Sequence, residues 1–258
     1  MKVLVTLGRV LLFWVATMAV LAMASPVGGS GEFAGLILGS LTVPATVLLT
    51  MAFTKWEGRR LRDYGFELAA GSWLRFICGL SIGFALVGLQ TGLVGLAGGV
   101  HWIVVGRATP TMLCVVLGYL LLAAREELAF RGYPFRAIDS QLGPWAAQLI
   151  MAALFIAEHR LGGATWENAV LGSGAGALLF GMGALATRGL ALPIGLHAAW
   201  NIGDWARGGK GDGGIWKMVV DPATANHTAF LAMASYVLVM ALALVGLWAW
   251  ARLRQRRD

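Results

Sequence analysis

Two adjacent carboxylates stand at the end of an apolar run, in the stretch "LAAREELAFRGYPFRAI" (residues 122–138). Ionisable side chains within such runs are costly and usually functional, so each needs a named partner. Glu127 has one, because a helix places Arg131 on the same face at i+4, with the acid N-terminal to the base. Glu126 lies about 100° round the helix and has no such cation. The spacing predicts an ion pair beside a carboxylate that is free to act as a general base.

Two more polar sets interrupt apolar segments. His159 ends the run "PWAAQLIMAALFIA", and His197 and Asn201 share one helical face in "LPIGLHAAWNIGDW", which Asp204 extends at i+7. An Asn amide and a His N–H can stabilise the oxyanion that forms when a carbonyl is attacked. Each set taken alone also fits a structural role: an interfacial charge cluster, a buried hydrogen-bonding histidine, or a polar stripe between helices.

The elements that must position these residues are membrane helices. Of 258 residues, 58% are hydrophobic and 13% charged, against about 25% charged in a soluble domain. The mean hydropathy is +0.73. This composition predicts an all-α polytopic membrane bundle, organised as a single domain over 1–258. The net charge of +7 lies in connections and the tail, which indicates topology-setting charge beside anionic lipid and no nucleic-acid partner.

Apolar runs predict eight spans, with ends uncertain by a few residues. They lie at about 8–25, 32–54, 73–98, 108–135, 144–160, 167–187, 190–205 and 226–251. The first run is followed by "AMAS", which a signal peptidase could cleave, but its length and the spans after it favour retention.

Lysine and arginine are unevenly distributed between the two sets of connections. The set that shares a side with the N-terminus contains these residues: Lys2, Arg9, Lys55, Arg59, Arg60, Arg62, Arg75, Arg131, Arg136, Arg188 and the four arginines of the tail. The other set holds Arg107, Arg160, Arg207, Lys210 and Lys217. The richer set predicts that both termini are cytoplasmic.

The polar sets are expected to meet. Glu127 and His159 each lie sixteen residues from Gly143, so an antiparallel hairpin turning at Gly143-Pro144 places them at one height. His197 enters from the same side, shortly after Pro193. Residues 131–139 are expected to project into the headgroup region. The sequence thus predicts a cytoplasm-facing cavity with two acids, two histidines and an amide.

Three motifs carry a family resemblance. "EELAFR" resembles E-E-x-x-x-R, "FIAEH" resembles F-x-x-x-H, and "HAAWN" resembles H-x-x-x-N, in the order found in the CPBP (ABI) family. That family comprises CAAX-prenyl-protease and bacteriocin-processing-type intramembrane endopeptidases. The motif-bearing core covers about 108–205.

The resemblance implies an eight-helix bundle with a conical cavity and peptide-bond hydrolysis by a glutamate-activated water. Carried over by motif, Glu126 and His159 would activate the water, while His197 and Asn201 would stabilise the oxyanion. Arg131 would hold Glu127. Glu158 departs from the pattern, because relatives commonly have an apolar residue there.

Other functions stay open at this point. A zinc protease could use Glu126, His159 and His197 as ligands, although no H-E-x-x-H occurs and the expectation is no cofactor. A proton-coupled transporter or a non-catalytic immunity protein could use the same polar groups. The expected partners are a peptide or protein substrate and the lipid bilayer. The composition hints at a bacterial inner membrane, and nothing indicates whether the substrate is prenylated.

Overall fold

The computed structural model describes residues 1–66, 69–97, 99–106, 109–210 and 214–255. Arg107, Arg256 and Arg257, which entered the orientation prediction, lie outside the described residues. The chain is 81% helical, which confirms the all-α prediction. The α-helices are α1 Lys2–Gly28, α2 Ala34–Trp56, α3 Ser72–Leu96, α4 Pro110–Arg131, α5 Tyr133–Leu142, α6 Pro144–Leu161, α7 Ala175–Thr187, α8 Ala191–Ala206 and α9 Ala225–Gln255. A π-helical segment, Asn168–Gly174, precedes α7, and a 3₁₀ turn, Leu61–Tyr64, follows α2.

Five helical segments of the described chain are long and apolar enough to cross a membrane: Lys2–Gly28, Ala34–Trp56, Ser72–Leu96, Asn168–Thr187 and Pro222–Leu253. The count of eight spans therefore stays a prediction. Of the α-helices outside this set, α4, α6 and α8 carry the motif residues. Their ionisable side chains find partners on neighbouring helices, which lipid cannot supply.

The α4–α6 region follows the predicted turn but differs in detail. Gly143 has a left-handed φ of 83° and separates α5 from α6, as the hairpin prediction requires. The predicted span 108–135, however, ends as a helix at Arg131, and a separate helix α5 follows. Residues 131–139 do not project out of the bundle, because Arg131, Phe135 and Ile138 are at most 1% exposed. They pack into the core against α1 and α2.

The basic connections predicted to share a side do meet at one end of the bundle, called here the basic end. One cavity there is lined by Lys2, Arg9, Arg59 and Arg136. A second is lined by Arg62, Arg75 and Arg188. Arg131 is the exception, since it is buried inside the bundle. Which side of the membrane the basic end faces stays a prediction.

Glu57 ties three elements together at the basic end. Its carboxylate accepts hydrogen bonds from the hydroxyls of Tyr64 (2.6 Å) and Tyr133 (2.8 Å). It also pairs with Arg9 of α1 at 3.2 Å. Burial raises the pKa of Glu57, but these three donors outweigh it and hold the pKa below its usual value. The cluster fixes α5 against the ends of α1 and α2.

The opposite end carries a small sheet that the sequence did not predict. Strand β1, Val100–Val104, pairs antiparallel with β2, Trp216–Val220. Its register runs from Val100 opposite Val220 to Val104 opposite Trp216. The sheet joins the α3–α4 and α8–α9 connections, so these two connections lie at the same end, as the alternation of spans predicts.

Helix α8 is held close to α3 by small residues. A Cβ at Gly79 would lie 2.9 Å from the backbone nitrogen of Leu196 and 3.1 Å from the Cα of Gly195. A Cβ at Gly83 would approach the Ala199 side chain at 2.6 Å. Helix backbones in membrane bundles approach this closely where small residues face each other. The opposite face of α8 is thereby presented to α4 and α7.

Candidate active site

The buried ion pair predicted on α4 is present. Glu127 is fully buried, and Nη1 of Arg131 donates to its Oε1 at 3.2 Å. The Nη2 of Arg131 donates to the carbonyl of Ala177 at 2.9 Å, and its guanidinium lies 4.8 Å from the ring centre of Phe155. The pair therefore links α4 to α7 inside the bundle.

His197 lies between the two glutamates. Its Nδ1 donates to Oε1 of Glu127 at 2.8 Å, because an ionised carboxylate can only accept. Its Nε2 faces Oε2 of Glu126 at 3.6 Å, which is longer than a hydrogen bond. The ring stacks on Phe180, with 4.4 Å between centroids. The hydrogen bond to Glu127 and the stacking on Phe180 together fix the orientation of the His197 ring.

The two glutamates differ in their surroundings. The Glu126 side chain is 19% exposed, whereas that of Glu127 is 0% exposed. The Oε2 atoms of both glutamates are buried and have no hydrogen-bond partner among the described residues. The Oε1 of Glu127 accepts from Arg131 and His197, whereas the Glu126 carboxylate accepts no hydrogen bond from a described residue. Glu126 therefore presents an unengaged carboxylate beside the Nε2 of His197.

His159 lies on α6, and Asn201 lies on α8 one turn after His197. The Nδ1 of His159 lies 3.0 Å from the Phe155 carbonyl, so Nδ1 carries the proton and the Nε2 lone pair is free to accept. The ring is half-buried, and no hydrogen bond between described residues joins it to Glu126. Asn201 is also half-buried and makes no hydrogen bond within the described part of the chain. Its amide is thus available to donate.

A second buried ion pair lies beside the site and was not predicted. Arg125, which precedes Glu126, pairs with Glu158, which precedes His159. Their side chains are 3% and 7% exposed. This contact shows that α4 and α6 meet at the height that counting from Gly143 predicts. The sequence signal was available: opposite charges at the positions just before two motif residues on neighbouring helices.

Asp204 does not orient the site residues. Its Oδ1 accepts from Nη2 of Arg207 at 2.7 Å and from Nε of Arg207 at 3.0 Å. Arg207 in turn donates to Gln90 of α3 and to Thr91 at 3.1 Å. Asp204 therefore helps to join α8 to α3 near the end of both helices, although it shares a helical face with His197 and Asn201.

The zinc-ligand set considered from the sequence does not form. Within the described ranges, no three His, Cys, Asp or Glu side chains are grouped as metal ligands. Glu126, His159 and His197 therefore do not fit a zinc site in this arrangement.

Comparison with known proteins agrees with the motifs. Residues 108–203 match the family described as type II CAAX prenyl endopeptidase, Rce1-like. No curated protein matches the chain. The matched segment spans α4 to α8 and contains every candidate site residue. It confirms the predicted resemblance to the CPBP family over this part of the chain and supports a CAAX-type intramembrane protease in general.

Proposed function

We propose that the protein is an intramembrane endopeptidase that hydrolyses a peptide bond with a water molecule activated by Glu126. The observation that carries the proposal is the unequal pairing of the two glutamates. Glu127 accepts hydrogen bonds from Arg131 and His197 through its Oε1, whereas the Glu126 carboxylate accepts none from a described residue, although its Oε2 is buried. A general base needs an acceptor that is not already engaged.

The reaction begins with proton transfer from water to Glu126. The water oxygen forms a bond to the scissile carbonyl carbon, and the carbonyl oxygen becomes an oxyanion. His159, with a free Nε2 lone pair, accepts a hydrogen bond from the second O–H of the water and so orients it. When the carbon–nitrogen bond breaks, Glu126 returns its proton to the leaving amine. The products are an amine and a carboxylic acid, which releases its remaining proton to solvent to become a carboxylate, and Glu126 is regenerated as a carboxylate.

Asn201 and His197 stabilise the oxyanion. The Asn201 amide makes no hydrogen bond to a described residue, so it can donate to the oxyanion without breaking one. The Nε2 of His197 can donate only as imidazolium, because Nδ1 is already the donor to Glu127. Glu127 and Arg131 thus act through His197 as positioning residues.

The site is proposed to face the cytoplasm and to work without a metal. Glu126 lies five residues before the end of α4 at Arg131, and His197 lies six residues after the start of α8 at Ala191. Both positions are near the basic end, which the positive-inside rule assigns to the cytoplasm. The substrate is a peptide or protein that reaches this cavity from the cytoplasm or the bilayer. A chelator should leave the activity unchanged.

Comparative N-terminal proteomics tests the function. Membranes from cells that produce the wild-type protein are compared with membranes containing Glu126→Gln at equal abundance. The matched control is Glu167→Gln, which changes an exposed carboxylate outside the site. New N-termini are expected in the wild-type and control samples and absent with Glu126→Gln. Identical N-termini in all three would contradict a protease and favour the transporter or binding alternatives.

A further inference from the structure

A cavity of about 670 Å³ opens at the basic end, separate from the candidate active site. It lies between the α2–α3 connection, the first turns of α3 and the α7–α8 turn. Three guanidinium groups line it, those of Arg62, Arg75 and Arg188. They come from three different segments of the chain, so the fold, and not a local run of charge, brings them together.

The arginines are not neutralised by a described carboxylate. None of the salt bridges between described residues involves Arg62, Arg75 or Arg188, and the described lining contains no acid. Arg75 is anchored by a 3.4 Å contact from Nη1 to the carbonyl of Thr187. Arg188 has a left-handed φ of 52°, which is uncommon for a residue with a side chain. Three positive charges that line one cavity without a described carboxylate can bind an anion there.

The rest of the cavity wall is apolar. It includes Trp73, Phe76, Leu128 and Ile194. Trp73 is 69% exposed and stands at the start of α3, where tryptophan is typical of the membrane–water interface. One part of the cavity therefore suits an anion and the adjoining part suits hydrocarbon.

We propose that this cavity binds an anionic phospholipid of the bilayer. The headgroup phosphate contacts the guanidinium groups, which are well suited to bidentate phosphate recognition. The upper part of an acyl chain lies along Trp73, Phe76 and Ile194. Basic pockets between membrane helices bind acidic lipid headgroups for this combination of reasons. The proposal does not depend on the proteolytic activity.

The bound lipid would brace the helices of the candidate site. Leu128 adjoins Glu127 on α4, and Ile194 precedes His197 by three residues on α8. The same cavity wall thus includes residues from both helices that hold the Glu127–His197 hydrogen bond. Lipid binding should raise the thermal stability of the protein.

The test uses purified full-length protein in a neutral detergent, with phosphatidylglycerol as the probe. Lipid binding is measured by native mass spectrometry and by the shift in melting temperature. The test variant is Arg62→Gln/Arg75→Gln/Arg188→Gln. Each arginine near a phosphate is expected to contribute about fivefold in affinity, so the triple variant should bind about a hundredfold more weakly.

The matched control removes the same charge elsewhere. Arg59→Gln/Arg60→Gln/Arg252→Gln alters three exposed arginines that do not line the cavity, and it should bind phosphatidylglycerol like the wild type. Arg75 contacts Thr187, so its replacement could also disturb the fold. The double variant Arg62→Gln/Arg188→Gln keeps Arg75 and separates a loss of binding from misfolding. It should bind about 25-fold more weakly.

Three results would overturn the proposal. The first is equal weakening of binding by the cavity and control variants, which would indicate a general charge effect. The second is equal binding of phosphatidylcholine and phosphatidylglycerol by the wild type. The third is full displacement of the lipid by millimolar inorganic phosphate, which would identify a site for free phosphate.

Discussion

Arg125 and Glu158 form a buried ion pair, and each immediately precedes a residue of the candidate catalytic site. Arg125 is followed by Glu126 on α4, and Glu158 is followed by His159 on α6. The pair therefore sets the distance between the two helices at the height where water would be activated. Arg125 is the counter-charge of the buried acid at position 158.

Arg125→Met should strongly destabilise the protein, because it leaves Glu158 buried without its counter-charge. Breaking a buried pair costs about 3–5 kcal/mol. The double variant Arg125→Met/Glu158→Leu should recover most of this loss, since apolar replacement of a whole pair is often neutral. Melting temperatures of both variants in detergent give the comparison. An additive loss of stability in the double variant would show that the two side chains are not coupled.

Asn201→Ala should lower kcat by about 10²–10³ with little change in KM, because it removes a proposed oxyanion donor. The melting temperature should hardly change, since Asn201 makes no hydrogen bond within the described part of the chain. Turnover of a peptide found by N-terminal proteomics provides the measurement. A higher KM with normal kcat would assign Asn201 to substrate binding instead.

His197→Ala should lower both turnover and stability. It removes the same kind of oxyanion donor and also deprives the buried Glu127 of its 2.8 Å hydrogen bond, and the loss of a charged hydrogen bond costs about 1.5–3 kcal/mol. The melting temperature and kcat of this variant are compared with those of Asn201→Ala. Normal stability would show that Glu127 does not depend on His197.

Glu57→Gln should destabilise the basic end at neutral pH. The pKa of Glu57 is lowered in the folded protein, so its charged form stabilises the fold above the unfolded pKa of about 4.3. That contribution is lost as the pH falls through the lowered folded pKa. Wild type and Glu57→Gln should therefore differ in melting temperature at pH 7 and converge in acid. A difference that grows as the pH falls would contradict this sign.

Reporter fusions should place both termini in the cytoplasm. The basic cavities at the end that contains Lys2 and Arg9 supply the reason, because positively charged connections are retained on that side. A fusion after α9 and one before α1 should both score as cytoplasmic. A periplasmic C-terminus would reverse the proposed route of substrate entry.

Local patterns explain what the sequence made predictable. The Glu127–Arg131 pair follows from i,i+4 geometry, and the helices follow from long apolar runs. Counting residues on either side of Gly143 predicted that α4 and α6 meet, although it took 108–135 as one helix and missed the separate helix α5. The ion pair and the helices need only helix geometry and composition, so they do not depend on how the helices pack.

Contacts between distant segments were not predictable in the same way. The Arg125–Glu158 pair joins residues 33 apart, and each charge alone resembles a membrane boundary. Asp204 shares a helical face with His197, but its carboxylate forms an ion pair with Arg207, three residues later. The pattern Gly79-x-x-x-Gly83 does signal close packing, yet only the fold shows that α8 is the partner. The short β1–β2 sheet likewise depends on pairing across more than 100 residues.

The paired substitution of the two glutamates tests the central claim most directly. Purified Glu126→Gln and Glu127→Gln are compared with wild type for melting temperature and for cleavage of one peptide substrate. Glu126→Gln should melt like the wild type and show no cleavage, because it loses only an unengaged base. Glu127→Gln should melt at a clearly lower temperature, because Arg131 is left buried without its counter-charge. Near-normal cleavage by Glu126→Gln would contradict the claim, as would a stable but inactive Glu127→Gln.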